Sequence, residues 1–145
     1  MQQSNPYSPP QANLDQDAGD IHARIERLAV SDSWKRRFHA IAYAGGPALP
    51  NMKTMDPEQR RGLSMFNFLG FLFGPFYYLA KGMWKKALAM GGAAFAVVIV
   101  FQIVMAMMGM EALARASGFA VAALFAVRAN IDYYKMMVQG DNGWW

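Results

Sequence analysis

The strongest evidence for the fold class is the stretch from Ala87 to Met110, which reads ALAMGGAAFAVVIVFQIVMAMMGM. None of its 24 residues is charged, and only Gln102 is strongly polar. As a helix with a rise of about 1.5 Å per residue, this run is long enough to cross a hydrocarbon layer of roughly 30 Å. It therefore predicts a membrane-spanning helix, in which Gln102 is expected to hydrogen-bond to a neighbouring helix.

A second apolar stretch follows, from Ala112 to Val127. It is short and carries Arg115 near its outer end, so it can cross only if this side chain snorkels and the helix continues into RANIDYYKMMV. With that extension, the two stretches predict an antiparallel pair of transmembrane helices.

A third apolar stretch, Leu63 to Ala80, precedes the pair and reads LSMFNFLGFLFGPFYYLA. It contains Gly74-Pro75, and proline removes a backbone donor and disfavours helix at the preceding residue. We therefore expect the segment to divide near Gly74 and to form an aromatic re-entrant or interfacial hairpin. A third crossing is the alternative.

Basic residues stand at the edges of these apolar segments. They are Arg60 and Arg61, then Lys81, Lys85 and Lys86, and finally Arg128 and Lys135. Basic residues near membrane segments favour the cytoplasmic side, and a hairpin would keep all seven on that side. The pattern predicts that both termini are cytoplasmic.

The remaining segments complete an all-α prediction. Residues 1–20 are rich in polar residues and proline, which predicts a disordered leader. Residues 21–62 show apolar residues at helical spacing and predict a cytoplasmic head of short amphipathic helices, with N-caps at Ser31 or Asp32 and at Asp56. Residues 63–138 then form the membrane domain, and 139–145 a tail.

Several classes of function lack their sequence signatures. The chain has no cysteine and two histidines, and no metal-binding, nucleophile-elbow or P-loop pattern is present. The net charge of +4 is explained by basic residues at membrane edges, without a nucleic-acid-binding motif. We expect no enzyme activity, no cofactor, no metal and no nucleic-acid partner.

Two clusters are candidates for a partner-binding surface. The aromatic cluster FNFLGFLFGPFYYLAKGMWKK, residues 66–86, supplies Phe76, Tyr77 and Trp84, and the exit of the last helix supplies Asn130, Asp132 and Tyr134. Asp132 lies four residues after Arg128, a spacing that predicts an ion pair on one helix. Asn130 is expected to hydrogen-bond to the backbone freed at Gly74-Pro75, which would link the two clusters.

Three phrases of the sequence resemble a known family. They are SWKRRFHAIAYAGG, FNFLGFLFGPFYYLAKGMWKKAL and RANIDYYKMMV, and they lie within Ser33 to Val138. Together they resemble the domain of unknown function 2628 family of small bacterial inner-membrane proteins. The resemblance implies a bacterial integral membrane protein and transfers no catalytic residue.

These observations favour a non-enzymatic inner-membrane protein that binds a protein partner. A specific version is an immunity-type protein that captures a membrane-targeting toxin in the bilayer. One alternative is an oligomeric channel or transporter subunit with Gln102 and Arg115 along its path. Another is a lipid-binding protein built around the aromatic hairpin. A second copy of this chain, in a homo-oligomer, is a further candidate for the partner.

Overall fold

The computed structural model describes the backbone of residues 14–145 and the side chains of residues 19–145. This part of the chain is helical and contains no strand, which confirms the all-α prediction for these residues. The helices are α1 (Leu14–Arg27), α2 (Asp32–Tyr43), α3 (Pro57–Gly62), α4 (Phe68–Phe73), α5 (Pro75–Ala80), α6 (Trp84–Met107) and α7 (Glu111–Gln139).

The two longest helices, α6 and α7, form an antiparallel hairpin. Its turn contains Gly109, which has a φ of 72°. Near this turn, Gln102 Nε2 lies 3.4 Å from Ser117 Oγ, which confirms the predicted hydrogen bond between helices. At the other end, which we call the open end, Lys86 of α6 faces Asp132 of α7.

Both helices of the hairpin are long and apolar enough to cross a membrane. In their most apolar windows of 18 residues, 11% of the residues of α6 and 17% of those of α7 are buried. The core helix of a water-soluble protein is mostly buried, so this exposure distinguishes the pair from such helices. Helix α7 has 29 residues and is about 43 Å long, so it extends beyond the roughly 30 Å of a hydrocarbon layer.

The aromatic segment is divided where the sequence predicts. Gly74 separates α4 from α5 with a φ of 48° and a ψ of −123°, a conformation that residues with a Cβ rarely adopt. Each of the two helices has six residues, about 9 Å, so the segment does not form the continuous helix that a third crossing requires.

Helix α4 lies against α7 at a close approach of the two backbones. A Cβ added at Gly70 would stand 3.1 Å from Ala129 Cβ and 3.3 Å from the Phe125 carbonyl oxygen. Glycine at this position lets the α4 backbone contact α7 directly. Helix α5 packs on α6, so the α4–α5 segment covers the open end of the long hairpin.

The three N-terminal helices form a head on the end of α7. Helix α1 begins at Leu14, inside the segment predicted to be a disordered leader, and the rest of that leader, residues 1–13, lies outside the described residues. Ser31 and Asp56 occupy the N-cap positions of α2 and α3 as expected, but neither side chain hydrogen-bonds to the helix it precedes.

The core lies where the head, the α4–α5 segment and the open end of the hairpin meet. Its largest buried apolar side chains include Ile25, Phe38, Tyr78, Phe125 and Tyr134. By contrast, the large apolar side chains nearer the Gly109 turn are mostly exposed, among them Phe95, Val100, Ile103 and Phe119. The chain thus has a packed half and a half whose apolar surface is exposed.

Candidate functional site

The most unusual feature of the core is a buried carboxylate, Asp132 of α7. Tyr78 Oη donates a hydrogen bond of 2.9 Å to Asp132 Oδ2, and Lys86 Nζ lies 3.5 Å from Asp132 Oδ1. Arg128 Nε lies 3.4 Å from Asp132 Oδ2, which confirms the predicted pair of i and i+4 residues. We call these four residues the Asp132 cluster.

The Asp132 cluster contains two cations and one anion. The Lys86 side chain is 0% exposed and that of Asp132 is 1% exposed, whereas Arg128 is 46% exposed. A charge buried in this way is tolerated because it is paired and hydrogen-bonded. The cluster therefore joins α5, α6 and α7 and carries one positive charge in excess at its exposed edge.

A second buried network lies beside it and is built from amides. Asn67 Nδ2 donates to Asn130 Oδ1 at 2.8 Å and to Tyr77 Oη at 3.0 Å. Asn67 Oδ1 accepts from the Gly70 N–H at 2.9 Å, so the same side chain caps the N-terminus of α4. We call Asn67, Tyr77 and Asn130 the amide network, and it holds α4 and α5 against α7.

The bond predicted for Asn130 is formed elsewhere. Asn130 Nδ2 donates to the Ser64 carbonyl oxygen at 2.6 Å, ahead of α4, and not to the backbone at Gly74-Pro75. The break does not need it, because the Gly74 N–H donates to Gly70 O at 2.9 Å and Gly74 O accepts from the Tyr77 N–H at 3.2 Å. The predicted link between the two clusters exists, but it runs through Asn67.

The six residues predicted to form one contact surface do not share a surface. Phe76 is 72% exposed and Trp84 is 48% exposed, whereas the other four are buried. These four are Tyr77, Asn130, Asp132 and Tyr134. In this conformation Phe76 and Trp84 are accessible and the other four are not, and the role of all six in partner binding stays a prediction.

The last turns of α7, from Tyr133 to Val138, pack against the head of the same chain. The rings of Phe38 and Tyr134 meet edge to face with centroids 5.7 Å apart, and those of Trp34 and Tyr133 meet with centroids 4.6 Å apart. Arg24 of α1 donates to the Val138 carbonyl oxygen at 2.8 Å. Of the six residues that the sequence suggests for a partner, Tyr134 therefore lies in an internal interface between α7 and the head, whereas Asn130 and Asp132 are buried against other helices of the chain.

Lys81 strengthens this interface from the loop after α5. Its Nζ lies 4.9 Å from the ring centroid of Trp34 and 4.7 Å from that of Tyr133. A lysine ammonium at this distance from aromatic faces is attracted by their quadrupoles. The side chain therefore contacts the head and α7 at once.

The segment after α7 also packs against the domain. Asn142 Nδ2 donates to Gly82 O at 3.3 Å, and the rings of Trp84 and Trp144 meet edge to face with centroids 5.7 Å apart. Lys135 Nζ lies 3.4 Å from Asp141 Oδ2. Half of the Trp84 surface therefore remains available beside Trp144.

The two histidines meet between α1 and α2. His22 Nδ1 and His39 Nδ1 are 2.6 Å apart, and His39 Nε2 lies 2.7 Å from Glu26 Oε1. Burial lowers the pKa of His22, and the nearby His39 lowers it further. Hydrogen bonds from His39 and Lys35 lower the pKa of Glu26. Within the described residues, no three or more histidine, aspartate or glutamate side chains are grouped so that they could hold a metal ion.

Sequence reasoning missed Asn67, Tyr78 and Lys86. A signal for Lys86 was available, because Lys85 and Lys86 point in directions about 100° apart on a helix and cannot share a face. Lys86 is four residues from Met90, and both are buried on the side of α6 that faces the core. Asn67 is a favoured residue at an N-cap, which is a local signal for its bond to the Gly70 N–H. Its bond to Asn130 and the bond of Tyr78 to Asp132 join residues more than fifty positions apart and have no local signal.

Comparison with known proteins gives the family. The sequence model of the family described as protein of unknown function (DUF2628) matches residues 24–139. The protein named uncharacterized protein YigF of Salmonella typhimurium is 30% identical over 124 residues, which cover 80% of this chain and 91% of that protein. Its namesake in Escherichia coli K12 is 31% identical over the same coverage. No solved structure matches the chain. On the extent of the family match, the chain belongs to the DUF2628 family.

Proposed function

We propose that this protein is a multi-pass protein of the bacterial inner membrane that acts by binding a protein partner. The single observation that carries the binding proposal is the exposure of two large aromatic side chains, Phe76 of α5 and Trp84 of α6, which we call the Phe76–Trp84 edge. The helices that carry them are joined to each other, since Tyr78 of α5 and Lys86 of α6 both bond to Asp132 of α7. Rigidly held aromatic side chains are frequent anchors of binding energy.

The length, composition and exposure of α6 and α7 support the membrane part of the proposal. In the proposed topology both helices cross the inner membrane, with the Gly109 turn on the periplasmic side. The open end carries Lys81, Lys85 and Arg128 and lies on the cytoplasmic side together with the head and both termini. The α4–α5 segment enters the same side and returns as a re-entrant hairpin, because its two six-residue helices are too short to cross.

The hydrogen bonds of the buried polar groups favour partner binding over transport as the function. The buried amides and charges of the open end bond to one another and hold helices together, as the Asn67–Asn130 and Tyr78–Asp132 bonds do. Along the proposed spans, Gln102 is engaged by Ser117. Polar groups in these roles do not supply a hydrated path.

In the more specific form of the proposal, the partner is a membrane-targeting bacterial toxin that the protein captures in the bilayer. An apolar toxin segment can pack on the Phe76–Trp84 edge while it remains in lipid. The aromatic rings then supply contact area, and the nearby basic residues at the open end favour an acidic partner segment.

Photo-crosslinking tests the binding proposal in living bacteria. A photoreactive amino acid replaces Phe76 or Trp84 in two variants, and Phe95 or Phe119 in two matched controls. All four positions are exposed aromatics, but the controls lie on the proposed spans away from the edge. We expect a discrete protein adduct from positions 76 and 84 and none from positions 95 and 119.

An absence of protein adducts at positions 76 and 84, or the same adducts at all four positions, would contradict partner binding at this edge. An adduct of twice the mass of the chain would identify a second copy as the partner. Toxin capture would appear as an adduct that forms only in cells exposed to the toxin and that is lost on replacing Phe76 with Ala at equal membrane abundance.

A further inference from the structure

A groove of about 520 Å³ runs between α6 and α7 beside the packed half of the protein. Its size falls within the roughly 300–1,000 Å³ of small-molecule sites. It is lined by Ala93 and Ala94 of α6 and by Ala120 of α7, with Val97 and Leu124 beside them. Alanines on facing helices leave space where longer side chains would close the gap.

One end of the groove is charged and aromatic. Arg128 and Trp145 line it there, at the open end of the hairpin. Asp132 pairs with Lys86 as well as with Arg128, and Asp141 pairs with Lys135. The half-exposed Arg128 therefore presents the excess positive charge of the Asp132 cluster to whatever occupies the groove.

We propose that this groove binds one acyl chain of an anionic phospholipid, with the lipid phosphate facing Arg128. The apolar walls accept the chain, and the guanidinium and the Trp145 indole stand where the headgroup meets the hydrocarbon. The positive charge of Arg128 favours an anionic lipid as the occupant of the groove. A zwitterionic lipid brings no net negative charge to match Arg128, and a second copy of this chain would bring another arginine.

The inference rests on the proposed insertion of α6 and α7 in a bilayer, and on no protein partner. On the proposed topology the groove opens to the cytoplasmic leaflet at its charged end. Basic residues at such a surface favour anionic lipid by about fivefold each. A preference of that size for an anionic headgroup is therefore expected from Arg128.

The test uses the full chain, purified in detergent, freed of lipid and titrated with dioleoyl phosphatidylglycerol or dioleoyl phosphatidylcholine. Native mass spectrometry counts the bound lipids. The informative variant is Arg128→Gln, which leaves Asp132 paired with Lys86 and so does not strand the buried acid. The matched control is Arg115→Gln, which removes the same charge from α7 near the Gly109 turn.

We expect the wild-type chain and Arg115→Gln to bind the anionic lipid about fivefold more tightly than the zwitterionic one, and Arg128→Gln to bind the two alike. A second pair of variants tests the groove itself. Ala120→Phe places a phenyl ring in the groove and should abolish saturable binding of phosphatidylglycerol. Ala116→Phe places the same ring one turn away on an exposed position outside the groove and should leave binding unchanged.

Equal affinity of the wild-type chain for both lipids, equal effects of the two arginine variants, or equal effects of the two alanine variants would overturn the proposal. An alkaline carbonate wash of cell membranes separates this failure from a failure of the membrane proposal. A chain that the wash releases is not inserted, and both proposals fall. A chain that stays in the membrane but lacks the lipid preference contradicts the lipid site alone.

Discussion

Lys86 Nζ lies 3.5 Å from Asp132 Oδ1, and both side chains are enclosed by the protein. Forty-six positions separate the two residues in the chain, and their pairing sets the register of α6 against α7 at the open end. Tyr78 and Arg128 also bond to Asp132, so the carboxylate has three partners, whereas among the described residues Lys86 Nζ bonds to Asp132 alone.

This asymmetry predicts the effects of mutation. Asp132→Leu leaves the Lys86 charge buried without its partner, which typically costs about 3–5 kcal/mol. Lys86→Met should cost less, because Arg128 and Tyr78 still bond to Asp132. The double variant should recover part of the loss, since it removes both buried charges together. Thermal unfolding of the detergent-purified protein measures all three.

Arg115→Gln serves as the control for these measurements, because Arg115 is exposed and distant from the cluster. A greater loss of stability in Lys86→Met than in Asp132→Leu would contradict the inference that Lys86 depends on Asp132 more than Asp132 depends on Lys86.

The contact of α4 with α7 depends on Gly70. Gly70→Leu should force the helices apart, because even a Cβ there would lie 3.1 Å from Ala129 Cβ, and we expect a cost of about 1–3 kcal/mol for overpacking. The chain has no cysteine, so a single reporter can be introduced as Ala126→Cys at a buried position under α4. Maleimide should label this cysteine faster when Gly70→Leu is present.

Gly92→Leu is the matched control, since a Cβ at Gly92 meets nothing within 4 Å. Labelling that is equally slow in both backgrounds would mean that α4 accommodates the larger side chain without moving away from α7.

The histidine pair predicts a pH dependence of the head. Because the pKa of His22 is lowered in the folded protein, the unfolded chain binds more protons as the pH falls below about 6.5, the ordinary pKa of histidine. The stabilisation is therefore present above that pH and is lost as the pH falls through the lowered pKa of His22.

The measurement compares the unfolding temperatures of the wild-type chain and His22→Phe at pH 7.5 and pH 5.5. We expect acid to lower the wild-type value more than that of the variant, which lacks the titrating group but keeps a ring to pack against Tyr43. Parallel losses in the two proteins would rule out His22 as the source of the pH dependence.

The proposed topology predicts the location of the Gly109 turn. A periplasm-active phosphatase fused after Gly109 should be active, and the same enzyme fused after Gly140 should be inactive, because basic residues at the open end keep that end in the cytoplasm. Phosphatase activity in cells measures both fusions at matched abundance. Activity of the Gly140 fusion would refute the proposed orientation.

The local elements could be predicted from short stretches of sequence. The uncharged run around Gln102 marks a long apolar helix, and Gly74-Pro75 marks the division between α4 and α5, because charge exclusion and proline sterics act within a few residues. The i and i+4 spacing of Arg128 and Asp132 likewise determines which helix face they share.

The burial of individual side chains follows from the packing of the helices and could not be read from the sequence. Asn130 and Tyr134 are polar or amphipathic residues at a helix exit, which in sequence is equally consistent with a contact surface or with an interface inside the chain. Their burial depends on Asn67 and Phe38, which are 63 and 96 positions away from them, and no local propensity encodes that distance. Whether a side chain is removed from water depends on how all the helices pack together, so the burial of Asp132 is seen in the structure and not in the sequence.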